Sequence, residues 1–227
     1  MSEFVVPAAP VTAVPVAGGG KFPVRRVFCV GRNYADHALE MGGDLTREPP
    51  FFFSKPADAV TTAAQLPADP ISKKLEHEAE LVVAIGKGGS NIPAAQALEH
   101  VFGYSVGCDL TRRDMQGEAK KAGRPWDMSK GFDNSAPIGE IKPASVIGHP
   151  AKGRLTLSVN GAVKQDGDIS HMTWPVPDII AFLSTLVALA PGDLIYTGTP
   201  AGVGPLVKGD KVEIACEGVA TCAFELT

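Results

Sequence analysis

Residues 75–86 read LEHEAELVVAIG, with glutamate at every second position of the first half. Alternation at period two, followed by a β-branched apolar run closing on glycine, predicts one strand. Successive side chains of a strand point to opposite faces, so Glu76, Glu78 and Glu80 share one face and His77, Ala79 and Leu81 the other. Carboxylates at i and i+2 stand roughly 6.6 Å apart along a strand, close enough to lean on one cation. Like charges that close repel, and burying them is costly unless positive charge stands between them. A divalent ion is the simplest compensation. Hard carboxylate oxygens select Mg2+ or Mn2+, with Ca2+ as an alternative, over Zn2+. A half-exposed strand with a solvated acidic face has the same pattern, so the stretch needs support from elsewhere in the chain.

Asp109 offers that support. It closes the apolar run 101–110, where a carboxylate at the end of a buried strand needs a partner, and it is the third candidate oxygen donor beside Glu78 and Glu80. Thr111 suits the N-cap of the helix that follows, in which Arg113 and Gln116 share one side and would follow Asp109 into any pocket it lines. His37 and Glu40 have the same i, i+3 spacing. A carboxylate against an imidazole raises its proton affinity and fixes the ring, which prepares a general base, although the same pair also suits an ordinary helix surface. Lys130 lies between a serine and a glycine in an irregular, aromatic segment, where a lone lysine is ordinarily solvated. Lys55, after three phenylalanines, reads as structural, and Lys87-Gly88-Gly89-Ser90 lacks phosphate-loop spacing and reads as a turn.

The elements that must position these groups are mostly strands. Arg26–Gly31 reads as a buried strand, turned by Arg32-Asn33-Tyr34 into a short helix over 35–41 that breaks at Gly42-Gly43; those glycines and the charged run 44–48 suggest a mobile segment, which suits the helix to act as a lid. Further strands are expected at 51–55 and 101–110, in a hairpin turning on Asn160-Gly161, at 194–197, and from 211 to the C-terminus. Helices are expected over 93–100 and 178–189. Residues 1–24, rich in Val, Ala, Pro and Gly, read as an extension that packs at a sheet edge. A chain of 227 residues suits one large core. The net charge of −4 and the absence of a Lys/Arg cluster argue against nucleic acid or an anionic membrane as partner and for a small molecule. Four scattered cysteines without a CxxC pair read as core hydrophobes in a reducing cytoplasm. No apolar stretch reaches the ~18 residues of a membrane span, and the N-terminus lacks the basic start of a signal peptide.

Gly31-Arg32-Asn33-Tyr34 with His37 and Glu40, Glu78-x-Glu80, Asp109-Leu110-Thr111-x-Arg113-Asp114-x-Gln116, Ser129-Lys130 and the glycine-rich segment 196–204 resemble, in that order, the fumarylacetoacetate hydrolase family. The resemblance runs from about residue 24 to the end, and the chain looks most like short bacterial acylpyruvate hydrolases of the fumarylpyruvate-cleaving kind. It implies an α+β, predominantly β fold, a mixed roll or sandwich with a few short helices, with residues 25–227 as a single catalytic domain. By resemblance, Glu78, Glu80 and Asp109 hold Mg2+ or Mn2+, His37 and Glu40 activate water on a helix that orders over the substrate, and Lys130 supports an oxyanion or enolate. Arg113, Gln116 and Thr199 match positions that contact substrate, Gly198 belongs to the segment whose N–H groups suit a carboxylate, and Arg32 suits a distal carboxylate. The implied reaction is hydrolysis of a 2,4-dioxo acid in aromatic catabolism by a cytoplasmic homodimer. Decarboxylation of oxaloacetate, isomerisation and decarboxylation of a dienoic diacid, and a non-catalytic module that binds metal and keto acid are the alternatives.

Overall fold

The computed structural model describes residues 4–35 and 49–227. Of the helix expected over 35–41, residues 36–41, and with them His37 and Glu40, lie outside the described residues. Two open sheets carry the fold. One has six strands in the order Lys142–Pro143, Val101–Cys108, Ala79–Ile85, Asp193–Tyr196, Arg26–Gly31, Phe51–Lys55, and only the pairing of Asp193–Tyr196 with Arg26–Gly31 is parallel. The other has five, Ala162–Asp168, Arg154–Val159, Lys211–Cys216, Ala220–Leu226 and Gln65–Leu66. The fold is the predominantly β architecture expected.

Strand Ala79–Ile85 is buried along its whole length, and its alternation feeds two cores. Leu81, Val83 and Ile85 pack with Leu155, Leu157 and Ile214 of the five-stranded sheet and with Ile179, Ile180 and Leu183 of the helix Val176–Leu186. Val82 and Ala84 pack with Val27, Leu194 and Tyr196 of their own sheet, and with Val14 and Phe22. The last two belong to an N-terminal ribbon, Ala13–Pro15 against Lys21–Pro23, anchored through Pro15 and Ala17 to Ile141. That ribbon closes the second face.

Several elements depart from the pattern read in the sequence. The strand expected over 75–86 is interrupted at Glu78 because its pairing partners change there. Leu75–His77 belongs to a small sheet with Thr111–Arg112 and Gly204–Pro205, whereas Ala79–Ile85 joins the large one. The Glu78 carbonyl in the gap accepts the Asp109 N–H at 2.8 Å. The strand 101–110 stops at Cys108, which leaves Asp109 in the turn beyond it. Thr111 caps no helix: it is in a two-residue strand, and the helix Arg113–Lys121 begins without a side-chain cap. Residues 93–100 tighten into the 3-10 helix Ala94–His100. The Asn160-Gly161 hairpin forms as read, with φ of 52° and 78°, the left-handed pair that a two-residue turn between twisted strands requires. All four cysteines are buried free thiols.

Candidate metal centre and its cleft

The interruption at Glu78 brings the acidic stretch against Asp109. Glu78, Glu80 and Asp109 are buried, and one carboxylate oxygen from each lies within 4.8 Å of the others. Three anions gathered this closely need positive charge. Lys130, itself buried, supplies some, with Nζ 2.8 Å from Glu78 Oε2, 2.7 Å from Asp109 Oδ2 and 2.6 Å from Thr111 Oγ1. Burial alone would lower the Lys130 pKa, but Asp109 and Glu78 outweigh it and hold the ammonium above its ordinary value.

A second buried lysine completes the frame. Lys55 Nζ is 2.8 Å from Asp109 Oδ1 and 3.1 Å from the Leu110 carbonyl, and it also donates to the Lys130 carbonyl. Arg113 reaches both Glu76 and Glu78, and its NH1 is held at 2.8 Å by Gln116 Oε1. Glu76 also meets Lys74, so it is neutralised outside the cluster.

Glu80 differs from these. Its Oε2 accepts the Gly198 N–H at 2.8 Å, and among the described residues no ion pair reaches it. Burial first, then the charges of Asp109 and Glu78, push its carboxyl well above the ordinary carboxylate range. A cation placed among the three carboxylates would relieve all three causes, so the donor set fits a hard divalent ion. Gly198 therefore departs from its expected part: its N–H serves Glu80 instead of standing open to a substrate. Its φ of 94°, and the 2.7 Å at which an added Cβ would meet Asn33 Cβ, reserve the position for glycine. Asn33 itself is buried and clamps this turn through the Thr197 and Trp174 carbonyls and the Trp174 N–H.

Glu78, Glu80 and Lys130 open on a cleft that Arg32, Arg113, Gln116 and Thr199 also line. Of the residues singled out in the sequence, the structure thus gathers all the described ones at this cleft, with Asp109 and Gly198 behind its wall. Arg32 is held at φ 55°, an unusual conformation for a residue with a side chain. Sequence reasoning missed three participants. Lys55 looked structural. Lys120, which lines the cleft with Nζ 5.0 Å over the Trp126 ring, had no distinguishing signal. Gln165, which holds Thr199 from behind, belongs to a strand far away in sequence.

The model of the fumarylacetoacetate hydrolase C-terminal domain matches residues 26–227. The chain belongs to the fumarylacetoacetate hydrolase family. A crystal structure of fumarylpyruvate hydrolase from Pseudomonas aeruginosa, in complex with Mn2+ and pyruvate, is 44% identical and superposes with a TM-score of 0.95 over 99% of both chains. A candidate fumarylpyruvate hydrolase from Burkholderia cenocepacia is 55% identical, with a TM-score of 0.93 over 99% of this chain and 98% of that one. The mitochondrial oxaloacetate tautomerase FAHD1 of Mus musculus is 42% identical over 205 residues, 89% of this chain and 91% of its own. The family's enzymes use one fold for more than one keto-acid reaction.

Proposed function

We propose that the protein hydrolyses the C–C bond of an acylpyruvate, with fumarylpyruvate as the substrate and fumarate and pyruvate as products. The observation that carries this reading is the buried tricarboxylate cluster beside Lys130, found in a chain that superposes on a fumarylpyruvate hydrolase crystallised with Mn2+ and pyruvate. Glu78, Glu80 and Asp109 would hold the ion, Mg2+ or Mn2+, which supplies Lewis acidity toward the 2-oxo acid end of the substrate.

The chain's own residues provide the rest. His37, oriented by Glu40, takes a proton from water as the oxygen attacks the distal carbonyl carbon, a contribution of roughly 10²–10⁴-fold. The bond between that carbon and the methylene breaks, and its electron pair goes to the methylene carbon to form the enolate of pyruvate. Lys130, itself buried, sets a full positive charge beside the developing anion, where preorganised charge is most effective. A proton returned to the carbon completes pyruvate. Arg113 and Gln116, locked to each other, and Thr199 position the keto acid, while Arg32 at the cleft mouth suits the distal carboxylate. Residues 25–227 form the catalytic unit in this reading, with residues 1–24 as a buttress, and the setting is a cytoplasmic homodimer in the breakdown of aromatic compounds.

The test is a side-by-side assay of the Mg2+- and Mn2+-loaded protein on fumarylpyruvate, acetylpyruvate and oxaloacetate. Hydrolysis of fumarylpyruvate in preference to the others is expected. A second reading, tautomerisation of oxaloacetate, is favoured by the mouse relative and needs the same enolate-stabilising site without water attack. Rapid enolisation of oxaloacetate with no cleavage of either acylpyruvate would replace the first reading by the second. Binding without turnover on any of them would make the site a non-catalytic receptor.

A further inference from the structure

Gln165 lies on the strand Ala162–Asp168, whose residues 162–164 and 166 are exposed, yet Gln165 is completely buried. A register shift explains the turn inward: Leu157 pairs with Gln165 and Ser158 with Val163, so Lys164 is the extra residue of a β-bulge. Bulges re-aim side chains. This one drives an amide from the five-stranded sheet into the gap between the acidic strand and the segment carrying Thr199.

Every hydrogen-bonding position of that amide is occupied, which fixes its orientation. Ala79 N–H, able only to donate, is 3.0 Å from one end, so that end is the oxygen. The same oxygen is 3.0 Å from His77 Nδ1, which must therefore carry its proton. The opposite end is then Nε2, whose two protons go to Thr199 Oγ1 at 2.7 Å and the Pro200 carbonyl at 2.8 Å. Thr199 Oγ1 accepts from Gln165, so its own proton points elsewhere, and its side chain lines the cleft beside Glu80 and Lys130.

We propose that Gln165 is a positioning residue: by holding Thr199 as an acceptor from behind, it makes the Thr199 hydroxyl a hydrogen-bond donor to an oxygen of the keto acid in the cleft. Through Ala79, the residue between Glu78 and Glu80, the same amide ties that donor to the carboxylate cluster. His77, with its proton on Nδ1, keeps the amide from flipping. The proposal rests on the reading of the cleft as a keto-acid site.

The test measures pyruvate affinity by calorimetry on the Mn2+-loaded protein for wild type, Gln165→Met, Thr199→Val and the double variant, with Mn2+ affinity measured alongside. Each single variant is expected to weaken pyruvate binding about tenfold to a hundredfold, the range for losing a hydrogen bond to a charged group, with Mn2+ affinity kept. The double variant should be no weaker than Thr199→Val alone, because the amide acts through the hydroxyl. Wild-type pyruvate affinity in Gln165→Met, or losses that simply add, would overturn the proposal. A second measurement covers a Gln165→Met that fails to fold. Side-chain amide exchange by NMR should show both Gln165 Nε2 protons protected in wild type and one of them released in Thr199→Val. Unchanged exchange would overturn it too. Neither exchange nor calorimetry reads turnover, so a wild type that cleaves no acylpyruvate would refute the hydrolase reading and leave this relay to be judged on its own.

Discussion

Asp193 and Glu80 are both buried carboxylates at the ends of core strands in the same sheet, and they are treated in opposite ways. Asp193 is closed. Its two oxygens take the Arg25 NH1 at 3.1 and 3.3 Å, the Arg26 Nε and NH2 at 3.2 and 2.8 Å, and the Ala190 N–H at 2.9 Å. Glu80 has one backbone amide and two neighbouring acids. A buried acid surrounded by its own cations ties together the N-terminal and C-terminal parts of the sheet. A buried acid facing other acids is unfinished, and what finishes it must come from outside the chain. Burial alone therefore does not mark a site; an imbalance of charge within the burial does.

The sharpest way to break the contrast is to neutralise Glu80. Glu80→Gln keeps an acceptor for the Gly198 N–H and removes the unmatched charge. Mn2+ affinity by calorimetry should fall more than about 100-fold, beyond the effect typical of disturbing a ligand's supporting partner, and hydrolysis should vanish with it. Thermal stability of the metal-free protein should hold or rise. A destabilised Glu80→Gln that still binds Mn2+ would place Glu80 in the same class as Asp193.

The reverse is expected of Asp193→Asn. The arginines would lose their shared anion, and since both reach solvent the loss should be about 3 kcal/mol, the low end for breaking a buried pair. In a chain of this size that lowers Tm by roughly 6–12 °C. Mn2+ affinity of the folded protein should be unchanged, and loss of metal without loss of Tm would erase the distinction.

Part of this contrast is written in local sequence. Glu78 and Glu80 announce themselves because alternation at period two survives in an otherwise apolar run, and Asp109 because a charge closes a stretch that must be buried. The predominantly β fold follows from the same kind of pattern. What is not legible depends on partners distant in sequence. The break at Glu78 arises because Leu75–His77 finds Gly204–Pro205 while Ala79–Ile85 finds Asp193–Tyr196, and nothing within residues 75–86 encodes that exchange. Lys55 looked structural because a single lysine has no period; only the fold brings it 2.8 Å from Asp109. Gln165 sits among exposed neighbours and is turned inward by a bulge that composition does not reveal.

Protonation sharpens the comparison further. Burial and its acidic neighbours raise the Glu80 pKa in the folded, metal-free protein, so the folded state keeps a proton that the unfolded chain releases near the ordinary value of 4.5. Above that pH the unfolded state binds fewer protons than the folded one, and this group's contribution to stability is lost as pH rises toward the folded pKa. Chelator-treated wild type should therefore lose stability relative to Glu80→Gln as pH rises above the ordinary carboxylate value, and Mn2+ affinity should rise in the same direction as the ion displaces the proton. Parallel stability profiles for the two proteins would mean that Glu80 is already ionised and balanced without a metal.

The smallest effect belongs to a third kind of carboxylate. Asp166 meets Arg154 through both oxygens at 2.7 Å, closer than any of the contacts to Asp193 given above, but both side chains stand in solvent, at 49% and 62% exposure. Hydrogen bonding by Arg154 draws the Asp166 pKa down, yet water and salt screen such a pair and ordering two long side chains offsets the attraction. Asp166→Ala should leave Tm and Mn2+ affinity where they are in wild type. A fall in Tm comparable with that of Asp193→Asn would mean that short distance, and not the absence of water, decides what an ion pair contributes in this protein, and the ranking of the three acids would have to be rebuilt on geometry alone.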